Sequence, residues 1–185
     1  LKNAYFGELH VHSSLSFDSY LFGNRLTIDQ AYHFAKGTSM ENVIGETMRL
    51  TRPLDFVAVT DHAESFGLFE ACADPNISEA QKEGCQMFER PNLKFFLELR
   101  ELGEQRPIIN PLEVNEGKER ARFFANMTWD KIVSIADEHN EPGIFTAFAA
   151  YEYSPVLPDS GKHHRNVIFR NSHVPKNAVS AFDAL

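Results

Sequence analysis

Leu54-Asp-Phe-Val-Ala-Val-Thr60, followed directly by Asp61-His62, is a short apolar run bounded by Pro53. An apolar run of this length without alternation predicts a strand buried on both faces, as in a parallel sheet. Such a strand delivers Asp61 and His62 at its C-terminal end, where parallel α/β folds carry their chemistry.

Outward toward the N-terminus, residues 4–12 read as a first strand. Leu9 and Val11 point one way; Glu8, His10 and His12 point the other. Two neutral imidazoles converging on one face can share a cation, or they merely line a polar strand face. Asp18 follows in a Ser/Phe/Asp turn that can bend back over the strand end. Thr27-Ile-Asp-Gln30 is a capping-box pattern that opens a helix ending at Gly37. His33 in that helix is expected on the surface or in packing.

In the other direction, residues 65–125 are too long for a simple connection and predict inserted helices. Ser78-Glu-Ala-Gln81 is a second capping box, and Phe95, Phe96, Leu99 and Leu102 follow helical spacing before breaks at Pro107, Pro111 and Gly117. Trp129, Ile132, Val133 and Ala136 form one stripe of a helix over 128–139, with His139 capping its last turn and Pro142-Gly143 beyond. Residues 144–151 predict a strand that ends in Glu152. A loop with Pro155, Pro158 and Gly161 leads through His163-His164-Arg165 into a strand over 166–170. The alternation of strands and helices favours the α/β class. Four strands are too few for a closed barrel of about eight.

The 185 residues suffice for one domain with a real core. The net charge is −8, and its excess lies in residues 61–142, with 17 Asp/Glu against 9 Lys/Arg. That balance, with no basic stripe, argues against nucleic acid as a partner. No run approaches the roughly 20 apolar residues of a membrane span, and no signal peptide is visible. A small anionic substrate held through metal ions remains compatible with the charge. Cys72 and Cys85 either pair across a surface loop in an oxidising compartment or are unrelated thiols. The start at Leu1 and the two cysteines point toward a periplasmic or secreted protein.

His10/His12, Asp18, Asp61/His62, Glu152 and His163/His164 thus cluster at one end of the expected sheet. A mixed His/carboxylate set without cysteine suits zinc, manganese or iron. Glu8-Leu-His10-Val-His12-Ser with Asp18, Thr60-Asp61-His62, and Glu152 followed by His164 resemble, in order, three motifs of PHP-type metallohydrolases. Ala31-Tyr-His-Phe-Ala-Lys-Gly37, Pro53 to Glu64, Tyr151-Glu-Tyr-Ser154 and His164-Arg-Asn-Val-Ile-Phe-Arg170 resemble more closely the DUF3604 branch of that superfamily.

The resemblance implies the N-terminal part of a distorted (β/α)₇ barrel, with 65–125 as a helical insertion and residues 1–185 as a single, incomplete domain. It implies two or three divalent metals: His10, His12 and Glu152 on one, Glu152 bridging to a second on His164, and Asp18 and His62 on a third. Asp61 would orient its neighbour, and His163 is the rival to His164. The family's late Asp-x-His motif is absent, and Asn171-Ser-His173 does not replace it, so a longer protein is expected. The implied activity is phosphate-ester hydrolysis by a metal-activated water, with Arg165 on a phosphate oxygen or in a surface salt bridge. An amidohydrolase-like enzyme shares the first His-x-His. A non-catalytic metal-containing binding module is the alternative from another class. The residues leave substrate, metal identity and oligomeric state open.

Overall fold

A computed structural model describes residues 3–89, 97, 101, 108–155 and 161–183. The spacing of Phe95, Phe96, Leu99 and Leu102, and the breaks at Pro107 and Pro158, lie outside the described residues. The chain divides into two compact units.

The first unit comprises residues 1–61, 131–152 and 166–174. It is built on a parallel sheet in the order β1 (Gly7–Val11), β4 (Phe56–Val59), β5 (Thr146–Phe148). The central strand is the apolar run: Val57, Ala58 and Val59 are all buried, as a strand flanked on both sides requires. Gly7 pairs with Phe56, and a Cβ at Gly7 would lie 2.3 Å from the Phe56 carbonyl oxygen. Only glycine allows that approach. The register shifts between Glu8 and Val11, an irregularity of the kind that re-aims side chains beside functional sites. It falls on Leu9-His10.

Between β1 and β4 lie α1 (Phe17–Leu21), α2 (Ile28–Ala35) and a hairpin of β2 (Met40–Glu41) and β3 (Thr47–Met48). The Thr27 cap of α2 is reciprocal: Gln30 N–H donates to Thr27 Oγ1 at 3.2 Å, and Thr27 N–H donates to Gln30 Oε1 at 2.9 Å. Ile28, Tyr32 and Ala35 give α2 its buried face. The Tyr32 hydroxyl donates to the Phe148 carbonyl. The run expected as one strand over 144–151 is two, β5 and β6 (Ala150–Tyr153), with β6 paired to β7 (Arg165–Ile168).

The second unit comprises residues 62–130, 153–165 and 175–185. Its helices are α3 (Leu68–Ala73), α4 (Glu79–Glu89), α5 (Pro111–Glu116) and the first part of α6 (Lys118–His139), whose last turns belong to the first unit. Helix α6 begins ten residues earlier than the apolar stripe predicts. Ala71, Ile77, Leu112, Ala121 and Phe124 form a core with Cys85 packed against it. Cys72 and Cys85 are bonded as a disulfide. In the Ser78 cap, Gln81 N–H donates to Ser78 Oγ, while Gln81 Oε1 accepts from Asn115.

The described residues thus give a mixed α/β fold with a parallel sheet, and among them no barrel closes. No helix among them is long and apolar enough to cross a membrane.

Candidate metal centre

His10 lies in strand β1 and His12 one residue beyond its end, and the two imidazoles converge. Their Nε2 atoms stand 3.0 Å apart. Glu152, on β6, completes a triangle: its Oε2 is 2.9 Å from His10 Nε2 and 3.0 Å from His12 Nε2. The carboxylate is fully buried, whereas the His10 side chain is 54% exposed. The Glu152 N–H donates to the Asp61 carbonyl, so the backbone beyond β4 fixes where the carboxylate sits.

The triangle can hold a metal ion. Protons can join the three atoms only if some of them donate and others accept, with the roles set by the tautomers. A cation in their place lets all three atoms act as acceptors. Donors at right angles around an ion with bonds of about 2.1 Å stand about 3.0 Å apart, which matches the observed edges. The residues present therefore fit a divalent ion.

Asp18, in the first turn of α1, places Oδ1 at 3.4 Å from His12 Nδ1. A carboxylate there fixes the ring from its far nitrogen, a common arrangement behind metal-binding histidines. Burial works to lower the His12 pKa. The hydrogen bond and charge of Asp18, with the charges of Asp61 and Glu152, outweigh it and hold the pKa above the ordinary value.

Asp61 is buried and turned to the loop after His12. Ser13 N–H donates to its Oδ1 at 2.7 Å and Ser13 Oγ–H to its Oδ2 at 2.6 Å. Burial pushes its carboxyl up, against the pull of the Ser13 and Ser16 donors and of His12. Asp61 thus pins the turn that carries His12. Nothing local in the sequence marks Ser13; its partner lies 48 residues away.

His62, His164 and Arg165 belong to the second unit. The rings of His62 and His164 meet edge to face with centroids 5.2 Å apart. His62 Nδ1 shares a hydrogen bond of 2.6 Å with Ser154 Oγ. The Ser154 N–H donates to Glu64 Oε1, which also accepts from the Ala181 N–H. The Glu64 Oε2 is buried with no hydrogen-bond partner among the described residues, and burial raises its pKa despite those donors. In the sequence Glu64 is the last residue of the Pro53 to Glu64 stretch and carries no mark of its own. Its burial is what marks it. Arg165 is exposed, its Nη2 2.8 Å from His163 Nδ1.

An open parallel α/β sheet that carries two histidines and a buried carboxylate beside its first strand defines a protein with a candidate metal centre. The whole chain, residues 1–185, matches the family described as protein of unknown function DUF3604, and it belongs to that family. Neither a curated protein nor a solved structure matches it.

Proposed function

We propose that the chain is part of a metal-dependent hydrolase, a phosphoesterase by preference, working with two or three divalent ions of zinc, manganese or iron. The observation that carries this is the triangle of His10, His12 and Glu152, whose fully buried carboxylate lies 2.9 and 3.0 Å from the two imidazole nitrogens. The motifs that resemble those of PHP-type enzymes, in the same order, support it, and with it a fold of the distorted-barrel kind.

The ions would supply an activated water and screen charge on a phosphoryl group. His10, His12 and Glu152 hold the first ion. Asp18 steadies the His12 ring, and Asp61 with Ser13 keeps the following turn in place. Within the second unit, His62 and His164 are candidate donors by the same resemblance, and Arg165 is the candidate contact to a phosphate oxygen. The substrate is a small phosphate ester. The Cys72–Cys85 disulfide supports an oxidising compartment, periplasmic or secreted.

The test is hydrolysis of a generic chromogenic phosphomonoester by the metal-loaded chain. Wild type is expected to release phosphate, and the double variant His10→Ala/His12→Ala to lose at least 100-fold in rate. Equal rates would contradict the assignment.

A further inference from the structure

We propose that Asp29, His33 and His139 form a second transition-metal site, sharing no residue with the first and taking a single divalent ion of the zinc class. Asp29 and His33 lie one turn apart on α2, so both side chains project from one face. His139, in the last turn of α6, meets them there. Its Nε2 is 2.9 Å from Asp29 Oδ1, and His33 Nε2 is 3.8 Å from Asp29 Oδ2. The two imidazoles stand edge to face, 4.9 Å between centroids. One donor atom from each residue falls within 4.8 Å of the others.

The ion pair of His139 with Asp29 is close, whereas that of His33 with Asp29 is long. The His33 nitrogen is directed at the second carboxylate oxygen from beyond hydrogen-bonding distance, a spacing an inserted ion would bridge. His139 is prepared for the role. Its side chain is 9% exposed, and its ring stacks on Tyr32 with centroids 5.1 Å apart and planes 26° apart. Tyr32 is itself tied to Phe148. His33 and Asp29 are half exposed, so an ion enters from solvent and water completes its coordination. Two imidazoles and a carboxylate, with no thiolate, suit Zn²⁺ and the neighbouring late first-row ions. An ion there would link α2 to the end of α6, and so stabilise the folded chain as any ligand of the native state does.

The test is calorimetric titration of the metal-stripped chain with Zn²⁺, paired with the visible absorption of bound Co²⁺. His33→Ala removes an exposed side chain, and Asp29→Asn is the second variant, with circular dichroism confirming that both fold. Each is expected to lose one equivalent of Zn²⁺, or at least tenfold in its affinity, and part of the Zn²⁺-induced rise in melting temperature. His10→Ala/His12→Ala is expected to keep that equivalent. Unchanged stoichiometry and affinity in both single variants would overturn the proposal.

Discussion

Around Glu152 the carboxylate is fully buried and His10 is 54% exposed. Around His139 the imidazole is the buried member, and the carboxylate of Asp29 is 53% exposed. The two clusters of the first unit use the same residue types with burial reversed. Removing a carboxylate from water costs several kcal/mol unless a proton or cation meets it. A half-exposed carboxylate keeps most of its hydration. The first cluster therefore gains most from a cation, whereas the second can stand as a hydrated ion pair and gains only a modest increment from a metal.

The change that breaks this contrast most sharply is Glu152→Gln. It removes the buried charge and keeps the shape. Affinity for the first ion should fall roughly a thousandfold, about 4 kcal/mol, measured by Zn²⁺ titration. In the metal-free chain the substitution takes away the desolvation cost of the buried charge together with its attraction to the two imidazoles. The melting temperature of the metal-free chain should therefore change little, while the rise that metal gives to wild type disappears.

A second prediction contrasts the two units. The disulfide closes a short loop in the second unit, with a sequence separation of 13. Replacing both cysteines, Cys72→Ala/Cys85→Ala, should cost about 3 kcal/mol of stability by the loop-entropy argument, read from urea denaturation. Zn²⁺ binding at His10, His12 and Glu152 should stay unchanged. Parallel loss of binding would show that the first centre depends on the second unit.

Smaller again is Ser13→Ala. Asp61 would keep the Ser13 backbone donor and the Ser16 side chain and lose the Ser13 hydroxyl, one hydrogen bond to a buried charge at a cost of about 1–3 kcal/mol. Because the turn after His12 loosens, metal affinity should fall by about tenfold. A stability loss with no change in affinity would confine Asp61 to a structural role.

The elements that local pattern could reveal were those with strong periodicity or punctuation. The Phe56–Val59 strand, the Thr27 cap and the end of α6 follow directly from apolar runs, capping residues and Pro142-Gly143. The start of α6 did not, because Gly117 reads as a break and the apolar stripe begins only at Trp129, while the residues after Gly117 propagate a helix. The two-residue strands of the hairpin are too short to carry a period. One apolar run over 144–151 concealed two strands, since only the pairing partners distinguish β5 from β6.

The candidate site shows the same division. His10 and His12 stand two residues apart, so their convergence is a local feature. Ser13 with Asp61 and His139 with Asp29 are separated by 48 and 110 residues, and no spacing encodes such meetings. His33 and His139 were therefore legible only as a surface and a capping histidine. Whether Cys72 and Cys85 pair is likewise settled only in three dimensions.

The most direct measurement is the metal content of the purified chain, loaded with Zn²⁺, dialysed and analysed by elemental mass spectrometry. Wild type should retain an equivalent that His10→Ala/His12→Ala, folded by circular dichroism, has lost. Equal metal content in the two proteins would contradict a metal centre at His10, His12 and Glu152.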